Sequence, residues 1–218
     1  MDKYFLCLAN SYKHDNRCLA GVEVSAEGKL LTNEWKHVNW FRPINRYTDA
    51  GAIPNEEASG IELFDIVKVN NIVPCPDGAQ QENYYYDSLE KIGHVAPNEM
   101  LLKKISYTNR KVLFGNPQQS ISHEYYERLD YSILMIEAKN VQCYLKDRIN
   151  KQPQPRICFE YKQHKYDLPV TDPDFRHVIE RDLVQANSAD HYFLTLSLSA
   201  ECEGWHFKLV AGVINNIL

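Results

Sequence analysis

Apolar and polar positions alternate most cleanly in the C-terminal half of the chain. Residues 191–199 place Tyr192, Leu194, Leu196 and Leu198 on one side of a strand. Residues 156–161 do the same with Ile157, Phe159 and Tyr161. A polar turn at 162–165 leads to a second short run at 166–170, so the two predict a hairpin. Residues 131–138 are rich in strand formers, and the apolar pattern resumes after Asn140 through residue 145. Together they predict one long, bent strand. Asp172 is a good N-cap and Pro173 fits the first helical position, where its missing N–H costs nothing. Phe175, Val178, Ile179 and Leu183 then fall at helical spacing and form one apolar stripe. Residues 187–190 read as the exit loop, 201–204 as a turn, and 205–214 as a further strand.

The N-terminal half is less regular. Strands are predicted at 3–9, 17–24, 37–42 (stopped by Pro43), 61–69 and 83–87, with a polar, acidic loop at 45–61. Asn98 caps a short helix through Met100, Leu101 and Ile105, and residues 117–120 read as a linker. In the C-terminal half the order is strand, strand, strand, helix, strand, strand. That is the element order of the OB-fold, a five-stranded, partly open barrel. The N-terminal strand count fits a second small barrel, although no sequence repeat relates the halves. The expected fold is therefore mainly β: two tandem small OB-like β-barrels with a few short helices. The expected units are residues 1–124, an OB-like barrel with linker, and 125–218, an OB-fold.

Composition narrows the function classes. The 218 residues are 44% hydrophobic and 24% charged, with 9 Gly and 10 Pro, which excludes collagen-like and largely disordered chains. The net charge of -5 argues against a protein that coats duplex DNA over its whole surface. Charge is segregated, however. Residues 100–123 hold Lys103, Lys104, Arg110 and Lys111 and no acid, and 139–165 are also basic. These segments are either solvated faces or a phosphate-facing groove bordered by Tyr125, Tyr126, Tyr144 and Tyr161. No signal peptide is visible and no apolar run approaches the ~18–20 residues of a membrane span, so a cytoplasmic protein with no membrane contact is expected. The six cysteines form no C-x-x-C and are expected to be buried, reduced thiols.

No phosphate-loop, zincin or nucleophile-elbow motif occurs. Residues 171–174 with Glu180 suit a helix cap better than a metal. His206 has no Cys or Asp partner nearby in sequence. No catalytic residue, metal or cofactor is expected. Three places carry candidate binding chemistry. In residues 7–21 a strand ends in Asn10 and Ser11, passes a polar loop with Lys13 and His14, and re-enters a strand at Arg17. Two cations with neutral donors suit an anion or nucleotide, or a hairpin loop whose Asn and Ser cap backbone groups. Trp40 and Arg42 could stack on a base and clamp a phosphate, or be a packed Trp beside a surface Arg. Lys208 shares a face with His206 and Val210, as a barrel-surface ligand contact or a snorkelling edge lysine.

The runs C-L-A-N-S-x-K…R-C-L-A-G at 7–21, W-F-R-P-I at 40–44, and H-Y-F-L-T-L-S-L-S…G-W-H-F-K-L-V-A-G-V-I from 191 resemble the bacterial dual OB-domain family. The resemblance spans essentially the whole chain and is most specific at its ends. It implies two tandem OB-folds and recognition of nucleic acid or nucleotides in anti-phage conflict systems. It supplies no catalytic residues. The expected function is a non-enzymatic module that binds single-stranded nucleic acid or a nucleotide-like ligand, as a sensor in a bacterial defence system. The candidate ligand contacts are Asn10, Ser11, Lys13, Arg17, Trp40, Arg42 and Lys208. The alternative is an accessory subunit whose barrels dock a protein partner, which the net charge and the acidic 45–65 segment favour. A metal-dependent nuclease would need a carboxylate cluster that the spacing does not show.

Overall fold

The computed structural model describes residues 2–35, 37–106 and 108–215. Seven strands form the first sheet: β1 (Lys3–Lys13), β2 (Asn16–Val24), β3 (Trp40–Ile44), β4 (Asp65–Asn70), β5 (Val73–Pro74), β6 (Asn83–Tyr85) and β7 (Ser88–His94). Six form the second: β8 (Ser120–Ser122), β9 (Ile133–Arg148), β10 (Lys151–Tyr161), β11 (His164–Pro169), β12 (Tyr192–Leu198) and β13 (Trp205–Asn215). Short helices fill the connections: α1 (Asn55–Ala58), α2 (Glu99–Ile105), α3 (His123–Tyr126), α4 (Pro173–Arg181) and α5 (Leu183–Ala186). None of the described helices is long and apolar enough to cross a membrane.

The two sheets share one plan. The first contains β3-β2-β1-β4-β7 and the second β11-β10-β9-β12-β13, antiparallel throughout. Counted among those five strands, both read third-second-first-fourth-fifth. In the second half a parallel bridge from Val170 to Val210 joins the end of β11 to β13 and curls the sheet shut. In the first half β3 instead accepts β6 in parallel, and β5 follows. This is the tandem OB-like architecture expected from the sequence. The change of sheet comes earlier than residues 124 and 125. That expected boundary falls inside α3, and β8 already pairs with β13.

Local chemistry explains most elements. His14 and Asp15 both take positive φ (48° and 62°), as a two-residue hairpin turn demands. The strand expected to end at Asn10 and Ser11, paired to Leu19 and Cys18, therefore runs on through Lys13, which pairs with Asn16 and is not in a loop as expected. Asn140 (φ 50°) supplies the bend of β9. The Asp172 carboxylate accepts the Asp174 and Phe175 N–H groups and starts α4, and the Asn98 side chain accepts from Leu101 N at 2.8 Å to start α2. Some expectations fail for physical reasons. Pro43 does not stop β3, because Arg42 N–H donates to Glu82 O and alternate residues bond in a parallel ladder, so the missing N–H of Pro43 falls on the side away from β6. α4 ends at Arg181, where Asp182 caps α5, so Leu183 leaves the apolar stripe and is exposed. β7 lies at the sheet edge with mostly exposed side chains and so carries no apolar alternation. Only Cys7 and Cys143 are buried, and Cys202 is exposed.

Each half has its own core, around Phe5, Phe41 and Val67 in one and Ile136, Phe159 and Leu196 in the other. A third cluster lies between them and joins Leu6, Leu8 and Val22 to Met135, Phe193 and Ile214. β12 is thus buried on both faces: its leucines point into the second core, Phe193 and Thr195 toward the first half. The Thr195 hydroxyl donates to Leu8 O at 2.7 Å. Gly212 makes the approach of β13 to β1 possible, since a Cβ there would sit 2.2 Å from Leu8 O. Gly212→Ala should therefore lower unfolding free energy by about 1–3 kcal/mol. Gly93→Ala, whose Cβ meets only Ile66 Cδ1 at 3.4 Å, should change it by no more than about 0.5 kcal/mol. Urea titrations of the two variants check this.

Candidate functional site

A cleft of about 1130 Å³ runs between the halves. The first half contributes the β1–β2 turn (Lys13, His14), β3 (Arg42, Ile44) and the segment beyond it to Arg46. The second contributes β10 (Gln154, Arg156), the end of β11 (Pro169) and the loop between β12 and β13. Each half thus supplies strand residues from its second and third strands together with a connecting loop.

The cleft floor is an ion pair. β3 turns Phe41 into the first core and presents Trp40, Arg42 and Ile44 toward the second half. Arg42 Nη2 lies 2.8 Å from Glu82 Oε1, and both side chains are almost fully buried. The same nitrogen donates to Ser132 Oγ at 3.0 Å and Ser197 Oγ at 3.3 Å, and Ser132 in turn donates to Glu82. Arg42 Nε is buried and has no partner among the described residues.

The cleft's other cations differ in how firmly they are held. Arg156 is buried against Asp167 (Nε to Oδ1 2.8 Å). Lys208 is fully buried, and its Nζ donates to Leu113 O, Asn116 O and Asn116 Oδ1 at 2.8, 2.6 and 2.8 Å. Burial pushes the Lys208 ammonium down to about 7. Lys13 makes no ion pair among the described residues, and the Arg46 guanidinium lies over the Tyr85 ring at 5.1 Å. His206 is buried with Nδ1 2.9 Å from Ser199 O, so that nitrogen carries the proton and Nε2 accepts. The acceptor faces His123 Nδ1 at 3.1 Å, which must then donate. Tyr126 stacks on His206 at 3.7 Å, and its hydroxyl donates to Asp77 O at 2.9 Å in the first half. No group of three or more His, Cys, Asp or Glu among the described residues is placed to hold a metal ion.

The model of the dual OB-containing domain matches residues 3–213. The chain belongs to that family. A search of curated proteins finds no match. Among solved structures, a murine DNA-binding protein determined with double-stranded DNA aligns over 99% of this chain and 98% of its own, at 8% identity and a TM-score of 0.34. The p204 HINb domain aligns over 100% and 97%, at 11% identity and a TM-score of 0.34. The tetrameric p202 HIN2 aligns over 100% and 92%, at 9% identity and a TM-score of 0.31. Likeness at this level says nothing about what the dual OB chain binds.

Within the dual OB frame, the expected ligand residues separate. Ser11, Lys13, Arg42 and Lys208 line the cleft. Asn10 is tied to Ile61 O (2.9 Å) and Arg17 to Asn55 Oδ1 (3.2 Å), both outside it. Trp40 lines a second opening on the other side of the Arg42–Glu82 pair, so Trp40 and Arg42 form no single clamp. Arg42 is not a surface residue, and Lys208 is neither an edge lysine nor exposed to a ligand at its tip. His206, which has no Cys or Asp partner nearby in sequence, is paired with His123, far away in the chain. The four bordering tyrosines do not share a groove. Tyr126 faces the cleft, Tyr161 is buried with its hydroxyl on Arg110 O (2.8 Å), and Tyr144 donates to Asp167 (2.9 Å). Arg46, His123 and Arg156 were missed because their partners are remote and no local motif marks them.

Two predictions follow from this floor. Glu82→Ala leaves the Arg42 charge buried alone and should cost about 3–5 kcal/mol in a denaturation experiment, with Arg42→Met/Glu82→Leu recovering much of the loss. Lys208 gives a pH signature. The unfolded chain keeps its ammonium to a pKa of about 10.4. Between about 7 and that value the unfolded state therefore binds more protons, and stability from this residue rises with pH. The difference in unfolding free energy between the parent and Lys208→Met should grow over that window and stay flat below it.

Proposed function

We propose that this protein binds nucleic acid in the cleft between its two barrels, and that single strands are the form it takes. The carrying observation is convergence. In OB-folds the face of strands two and three, with the flanking loops, is the surface that takes oligonucleotides and oligosaccharides. Here such pieces from both barrels open onto one cleft. The charge pattern favours a phosphate chain over a sugar. Lys13 and Arg46 have no carboxylate partner among the described residues, and the buried Arg42 Nε at the floor has an unused proton. Exposed Tyr12 and Phe207 at the cleft supply surfaces on which bases can stack. The volume of about 1130 Å³ exceeds the ~300–1,000 Å³ usual for a small-molecule pocket and suits a segment of polymer. We further propose that the protein acts by binding and not by catalysis, in the cytoplasm, as a sensor in a bacterial defence system.

Fluorescence anisotropy with labelled ssDNA, ssRNA and duplex DNA at about 50 and 200 mM salt tests the reading. Single strands should bind more tightly than duplex and weaken steeply with salt. Lys13→Glu/Arg46→Glu should weaken binding and lower the salt slope by about 1.4, the share of two phosphate contacts on a single strand. Lys139→Glu, on an exposed position outside the cleft, should change little. Absence of binding at micromolar protein, or parent-like affinity in the double variant, would overturn the assignment and turn attention to a protein partner.

A further inference from the structure

The second opening lies on the far side of the Arg42–Glu82 pair and encloses about 580 Å³. That is about half the cleft's volume and falls within the ~300–1,000 Å³ of small-ligand sites. Its walls mix aromatic faces with polar groups. Trp40 and Tyr84 come from the first half, and Tyr131 and Met135 from the second. Lys104 from α2 and Arg110 just beyond it stand at the rim.

The charges there are unevenly committed. Lys3 is closed by an ion pair with Glu23, and Glu82 by Arg42 and Ser132. The wall's inner carboxylates are therefore neutralised. Arg110 lies flat on the Tyr131 ring, 3.5 Å from its centroid, and touches only the largely exposed Asp130 at 3.4 Å. Lys104 makes no ion pair among the described residues. A free ammonium and a loosely held, pre-oriented guanidinium thus stand over an aromatic cavity whose inner acids, Glu23 and Glu82, are paired, with the exposed Asp130 at the rim beside Arg110. A planar guanidinium held by stacking has its donor edge open, the geometry that receives phosphate oxygens. The Asn39 and Gln81 amide nitrogens on the same wall donate to Glu23 (3.2 Å) and Gly78 O (2.6 Å), which leaves their oxygens as acceptors.

We infer that this cavity is a separate site for a mononucleotide, with the base against Trp40 and Tyr84 and the phosphates on Lys104 and Arg110. It is independent of strand binding in the cleft, since the buried Arg42–Glu82–Ser132 group stands between the two openings.

Isothermal titration calorimetry of the full chain with AMP, ADP, ATP, GMP, adenosine and pyrophosphate tests the site. Nucleotides should bind, with adenosine and pyrophosphate each weaker than ADP. Lys104→Ala/Arg110→Ala alters two exposed side chains and should weaken ADP binding by about thirtyfold, one kcal-scale charge-assisted contact from each. Trp40→Phe should remove the nucleotide-dependent change in tryptophan fluorescence. Lys13→Glu/Arg46→Glu should leave ADP binding intact. No heat with any nucleotide, pyrophosphate binding as tightly as ADP, or loss of ADP binding in the Lys13/Arg46 variant would each overturn the inference. Absence of strand binding by the parent chain, with ADP binding present, would sink the cleft reading alone.

Discussion

Two unlike charges hidden from water organise the middle of this molecule. Burying Arg42 and Glu82 costs several kcal/mol per ion, and the cost is offset only if geometry and hydrogen bonding are good. Here one guanidinium nitrogen reaches a carboxylate and two serine hydroxyls from three separate parts of the chain. The parallel pairing of β6 with β3 brings Glu82 beside Arg42, so the extension of the first sheet and the ion pair require each other. Ser132, just ahead of β9, and Ser197 on β12 bring the second barrel to the same point. One polar contact thus links a sheet edge, both barrels and the floor of the cleft. It also divides the space between the barrels into two openings of different size and chemistry.

The repeated strand order is the clearest architectural feature, and it leaves no trace as a sequence repeat. Connection rules explain this. Short, antiparallel-friendly links with a crossover restrict the topologies available, and many unrelated sequences satisfy the same one. The halves differ where the links differ. The second closes through Val170 and Val210 after β11, whereas the first spends its long fourth-to-fifth connection on β5 and β6. Each half therefore has its own edge of second and third strands, and the packing of the halves turns both edges toward common space.

How much could be read from the chain depends on what each residue faces. The C-terminal barrel was legible because one face of each strand is buried and Asp172-Pro173 marks the helix start. The first half was harder because β3 is short and β7 lies at an edge with no apolar side. The contact between the halves was invisible, since Phe193 and Thr195 look like the outward positions of a one-sided strand. Lys208 misled for the same reason. Lysine on a strand usually means solvent, and only carbonyls 92 and 95 residues away make its burial tolerable. In the cleft, Ser11 and Lys13 were found because a polar hairpin is a local signal, whereas Arg46, Arg156 and the His123–His206 pair depend on distant partners.

The grip of Thr195 and Gly212 on Leu8 joins segments that leave the ribosome at very different times. Leu8 and Thr195 are 187 residues apart. The first sheet can pair its own strands early and α2 adds Leu102 and Ile105, but the face of Leu6, Leu8 and Val22 lacks Met135, Phe193 and Ile214 until β9, β12 and β13 have been made. During that interval the nascent chain carries a partly uncovered apolar sheet face. Such a face invites association with other chains. The protein's yield in a cell is thus set partly by whatever shields that face while the second barrel is still being synthesised.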